Sequence, residues 1–148
     1  MTWLRSAGSA PHSGTPAATK LGVKPGSALL LIAAPAAWEL AGLPADVAPR
    51  RVAKVPLPGA ADVVVAFVRT AAELGRDIEQ LGALIFPDKG LWIAWPRKAG
   101  GHTSDVTENL IREVALPLGL VDNKVAAIDA DWSGLRLSWR MERRRPSP

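Results

Sequence analysis

Three stretches of the chain are apolar without interruption: ALLLIAA at 28–34, VVVAFV at 63–68 and LWIAW at 91–95. Runs of this length, the second of them rich in β-branched residues, suit strands covered on both faces. Between the second and third, Leu74, Ile78, Leu81 and Ile85 recur at spacings of four, three and four, and Thr70 with Glu73 forms a capping-box pair ahead of them. That pattern predicts an amphipathic helix. A second helix is expected to open at Asp105 with Glu108, to present Val106, Leu110 and Val114 on one face, and to stop at Pro117. Weaker signals fill the gaps. AAWELAG at 36–42 reads as a short helix closed by Gly42, and RVAKVPL at 51–57 as an edge strand, because Pro56 cannot donate to a ladder. NKVAAID, the turn ADWSG and LRLSWRM then read as a terminal hairpin, in which Leu135, Leu137 and Trp139 alternate with Arg136, Ser138 and Arg140.

Strands alternating with helices and closed by a hairpin predict an α/β fold with a three-layer, mostly parallel sheet that ends in an antiparallel hairpin. Right-handed crossovers place the carboxyl ends of the parallel strands on one edge. Residues 1–20, small and polar, are expected to form a disordered leader; 21–140 form one domain and 141–148 a basic disordered tail. The longest apolar run, Ala28 to Trp38, is 11 residues and contains Pro35, too short to span a bilayer. The N-terminal residues lack the apolar segment of a secretion signal, so a cytoplasmic protein without membrane contact is expected.

Charge changes this picture less than its total suggests. The net charge is +4, but Arg5, Lys20, Arg140 and Arg143 to Arg145 account for the excess; residues 21–139 hold 12 cations against 13 anions. Nucleic acid is therefore not an expected partner, and a short arginine tail remains the only feature that invites it. With no cysteine, disulfides and thiolate chemistry are excluded. The only histidines are His12 and His102, and neither stands in a nucleophile–base arrangement. His102 with Asp105, Asp129 and Asp131 is too sparse a set for a structural metal, so no cofactor is expected.

The order of elements resembles a shortened class I methyltransferase-like, Rossmann-like domain, with LGVKPGSALLLIAA similar to its first motif strand and FPDKGLWIAWP to its fifth. The resemblance implies a glycine-rich turn after the first strand and a ribose-binding carboxylate after the second. Here those positions read APAAW and AKVPLP, which supply neither. Across residues 19–140 the segments KLGVKPG, LWIAWPRK, REVALPLGLVDNKV and IDADWSGLRL also resemble an uncharacterised bacterial domain-of-unknown-function family, a likeness that implies no activity.

One constellation concentrates chemistry. Trp95, Arg97 and Lys98 leave the third apolar strand; Gly100, Gly101, Thr103, Ser104 and Asp105 lead into the next helix; Asp129, Asp131, Trp132 and Ser133 form the hairpin tip. Ligands of open α/β sheets bind outside the carboxyl ends of the strands. The expected site is a crevice where Trp95 and Trp132 are partly exposed and where Arg97, Lys98 and a helix N-terminus hold an anion. The opposing expectation is a plain structural edge, with Arg97 and Lys98 paired to Asp129 and Asp131 and Asp105 serving as N-cap. The functional expectation is a non-catalytic module for a protein partner or a small anion. The rivals are a degenerate methyltransferase-like or phosphate-group transferase enzyme with Asp105 or Asp129 as base, and, third, nucleic-acid binding through the tail.

Overall fold

The computed structural model of the chain describes residues 15–144. Its sheet has six strands: β1 (Leu29–Ile32), β2 (Arg50–Val52), β3 (Val63–Phe67), β4 (Gly90–Pro96), β5 (Leu120–Ala127) and β6 (Trp132–Trp139). They lie in the order β2-β1-β3-β4-β6-β5. The first four are mutually parallel, and β6 runs antiparallel to both β4 and β5. The architecture is thus α/β, mostly parallel, with a terminal antiparallel hairpin. The three apolar runs became β1, β3 and β4, each buried along its length apart from Pro96.

Alternation along these strands divides the core in two. Leu30, Ile32, Val64, Ala66, Leu91, Ile93 and Trp95 face α2 (Ala71–Ile85) and α3 (Glu108–Ala115). Leu29, Leu31, Val65, Phe67, Trp92 and Ala94 face the opposite way. That second face is covered by the segments before and after β1, among them Ala18, Leu21, Val23, Leu40 and Val47, which form turns and one helical turn, α1 (Ala17–Lys20), rather than a layer of long helices. Among the described residues the two longer helices, α2 and α3, therefore pack on one face.

Four local expectations need correction. Ala17–Lys20, assigned to a disordered leader, is ordered, because Ala18 and Leu21 are buried and the Trp92 indole N–H donates to the Leu21 carbonyl at 3.0 Å. Residues 1–14 lie outside the described residues, as do 145–148; the described part of the tail makes a 3-10 turn at Met141–Arg143. Residues 36–42 are turns and not a helix. Trp38 spends its carbonyl on Arg51, a long-range partner in place of a helical one, and its indole N–H donates to Asp129 at 2.8 Å. The second helix starts at Glu108, capped by Thr107 Oγ, which accepts from the Leu110 N–H at 3.1 Å. Its deeply buried residues are Ile111 and Ala115, with Leu110 and Val114 half-buried beside them. Among the described residues no helix is long and apolar enough to cross a membrane.

Candidate functional site

Because β5 and β4 both run antiparallel to β6, they point the same way, and the hairpin tip rises at the carboxyl end of β4. The tryptophan–proline–cation corner and the tip therefore share one rim. They are joined directly: the Arg97 N–H donates to the Asp131 carbonyl at 2.8 Å, and His102 Nε2 lies 2.9 Å from Asp131 Oδ1. Gly100 is pressed against the tip so closely that a Cβ there would lie 2.3 Å from the Ala130 oxygen. Gly101, at φ 86°, closes the 3-10 turn Lys98–Gly100. Both glycines thus have structural work inside this joint.

The polar side chains of the rim are similarly engaged. Asp105 is not the cap of α3; its Oδ1 accepts from the Ala71 N–H of α2 at 2.8 Å. Ser104 Oγ donates to the Arg69 carbonyl at 2.8 Å and accepts from the Val106 N–H at 3.1 Å. Asp129 Oδ1 accepts from the N–H groups of Asp131 and Trp132, at 2.8 and 2.9 Å, which shapes the tip as an Asx turn. Arg97 and Lys98 form no ion pair with Asp129 or Asp131; His102 takes that place on Asp131.

The two tryptophans expected to be partly exposed in one crevice are buried on opposite faces. Trp95, 8% exposed, packs on the helical side, and Trp132, 9% exposed, packs on the other. Trp132 sits edge-to-face with Phe67 at 4.9 Å, Phe67 does the same with Trp38 at 4.8 Å, and Arg69 lies over the Trp132 ring at 5.4 Å. Ser133 pairs with Trp95 across the β4–β6 ladder. Of the expected set, Trp95, Lys98, Thr103 and Ser104 line a common cleft of 450 Å³ beside α3, together with His102 and Glu108. Arg97, Asp129, Asp131, Trp132 and Ser133 do not line it.

A neighbouring cleft on the same rim was not anticipated from sequence. The chain passes from β1 to β2 on one side and returns to β3 on the other, so the carboxyl ends of β1 and β3 form the point where strand order reverses. Over it lies a cleft of 640 Å³, walled by Lys54 after β2, Arg69 after β3, and Glu73, Arg76 and Asp77 of α2. Arg69 crosses the reversal point, its Nη2 donating to the Ala33 carbonyl at 3.1 Å. Ala33 takes φ 59°, a left-handed conformation that costs a residue with a Cβ roughly 1–2 kcal/mol. Arg76 is bidentate on Asp77, at 2.8 Å through both nitrogens, which raises its pKa above the ordinary guanidinium value through the hydrogen bond to that carboxylate. Glu73 accepts from the Arg69 N–H at 2.9 Å, and Lys54 makes no ion pair among the described residues. The signal available in sequence was the loop order alone: a residue just past each of two adjacent parallel strands.

Among the described residues no three His, Asp or Glu side chains group to hold a metal ion. Compared with known protein families and with curated proteins, the chain matches none.

Proposed function

We propose that the protein is a non-catalytic α/β binding module that takes a small anionic ligand at the carboxyl edge of its sheet. The observation that carries this reading is the 640 Å³ cleft over the carboxyl ends of β1 and β3, with Lys54, Arg69 and Arg76 on its wall. Open α/β sheets place ligands at such a reversal of strand order. The absence of a nucleophile–base pair at the rim favours binding over catalysis: Ser104, Asp105 and Asp129 are each committed to backbone groups. The 450 Å³ cleft, with Lys98 and the Trp95 ring, extends the same rim.

One observation favours the second reading, a degenerate methyltransferase-like domain of Rossmann-like type. Ala33, immediately after β1, holds the left-handed conformation that a glycine-rich turn would supply there. Arg69 tied to its carbonyl occupies the approach that a cofactor would need, which is why the binding reading is preferred.

The test is thermal denaturation with small phosphates and dicarboxylates at constant ionic strength. A ligand at a hundred times its Kd stabilises by about 2.7 kcal/mol. Lys54→Ala combined with Arg76→Ala should abolish that stabilisation while the unliganded protein stays folded. Arg97→Ala with Lys98→Ala should leave it intact, and the reverse pattern moves the site to the β4 corner. Stabilisation by S-adenosylmethionine at millimolar concentration would favour the enzyme reading instead.

A further inference from the structure

The opposite, amino edge of the sheet carries a separate cleft of 280 Å³, walled by Lys24, Lys89, Gly90, Trp92 and Arg136, with the carboxylates of Asp62 and Asp88 at its side. Arg136 stands in β6, opposite Trp92 of β4 and Lys124 of β5. It is only partly exposed, and it forms no ion pair among the described residues. Its side-chain partner is neutral: Nη1 donates to Asn123 Oδ1 at 2.9 Å.

Asn123 is itself placed by an irregularity. The β5–β6 register slips between Asp122 and Lys124, which leaves Asn123 as the extra residue of a bulge. Bulges re-aim side chains, and here the Asn123 amide also donates to Ser138 Oγ at 2.6 Å, Ser138 being 4% exposed. A buried hydroxyl thus fixes an amide, and the amide fixes the guanidinium. The guanidinium lies flat against Gly90, where a Cβ would meet Nη2 at 2.5 Å and Nε at 2.6 Å. Burial, and then the charge of Arg144, lower its pKa from the ordinary arginine value. The result is an oriented, partly desolvated cation with no ion-pair partner among the described residues, an arrangement that is costly when left unpaired. Arginine offers five N–H donors in a planar fork, and Asn123 takes one.

We propose that this cleft binds a small oxyanion of the phosphate class on Arg136, with Lys24 and Lys89 adding charge at its mouth. Lys89 is shared with Asp62 at 3.1 Å, whereas Lys24 has no ion-pair partner among the described residues. The bland alternative is an arginine whose stem merely covers Trp92 and Gly90; it predicts no anion response.

The experiment titrates inorganic phosphate into the Lys54→Ala/Arg76→Ala protein, in which the carboxyl-edge cleft keeps only Arg69, tied to the Ala33 carbonyl, of its three cations, with chloride balancing ionic strength. A saturable rise in Tm is expected, and Arg136→Gln in that background should weaken it roughly tenfold or more, the usual loss of a charge-assisted pair. No saturable rise, or a rise unchanged by Arg136→Gln, overturns the proposal. Should either variant fail to fold, the intact protein answers by NMR. Saturable shifts at the Gly90 and Trp92 amides support the site, and their absence sinks it. Because Lys54 and Arg76 report the other edge, failure here leaves the carboxyl-edge reading standing, and the reverse also holds.

Discussion

At the scale of single residues, Gly100 and Gly101 do different jobs although they are neighbours. A Cβ at Gly100 would strike the backbone oxygen of Ala130, which cannot rotate away, whereas one at Gly101 meets nothing within 4 Å and suffers only from φ 86°. Gly100→Ala should therefore destabilise by about 1–3 kcal/mol through displacement of the hairpin tip, and Gly101→Ala by roughly 1–2 kcal/mol through left-handed strain alone. Urea denaturation measures both. Loss of the His102–Asp131 contact, followed through the His102 ring signals, should accompany only the first. The sequence places the pair only on the way from the third apolar strand to the next helix, in the expected crevice. That the joint closes on Ala130, thirty residues away, was not legible there, because nothing local to the glycines encodes it.

At the scale of elements, the cap of α3 expected at Asp105 falls instead to Thr107, and long-range demand explains the shift. Asp105 lies three residues before Glu108 and Thr107 three before Leu110. Asp105 is drawn to the otherwise orphaned Ala71 N–H at the start of α2, so Thr107 is left to cap α3. The capping box of α2, by contrast, was legible: Thr70 Oγ accepts from the Glu73 N–H at 3.1 Å, with Glu73 reaching back one residue further, to Arg69. Removing a cap costs about 1 kcal/mol. Thr107→Ala and Asp105→Ala should each lose roughly that amount, yet amide exchange should quicken at Leu110 in the first and at Ala71 in the second. Quickening at Leu110 in Asp105→Ala would return Asp105 to its expected role. A like competition operates at 36–42, where Arg51 claims the Trp38 carbonyl that a helix would have used.

At the scale of the whole molecule, the apolar runs dictated a parallel sheet, but the cover on its second face could not be read from them. That cover comes from scattered residues, Ala18, Leu21, Leu40 and Val47, which carry no period. Exposed-looking charges likewise turn out to join elements. Arg112 binds Asp122 at 2.8 Å and Glu108 at 3.2 Å, linking α3 to β5; Lys89 binds Asp62 at 3.1 Å. The hydrogen bond from Arg112 lowers the Asp122 pKa, and that from the Ala28 N–H, followed by Lys89, lowers that of Asp62. A depressed carboxylate contributes stability above its unfolded value near 3.8 and loses it as pH falls through the lower folded value. The urea midpoint should accordingly be flat from pH 7 to 5 in this respect and fall below about pH 4. Asp122→Asn should lower the midpoint at neutral pH and make the acid decline shallower; an unchanged decline would mean that these pairs contribute nothing measurable, as many exposed pairs do.

The insertion of β6 between β4 and β5 has a consequence for biosynthesis. During translation β4 leaves the ribosome well before the strand that will pair with it, and β5 cannot substitute, since it reaches the sheet only through β6. A nascent chain halted near residue 130 would present the unpaired, tryptophan-bearing edge of β4 to solvent, the kind of surface that chaperones hold and that neighbouring nascent chains can join.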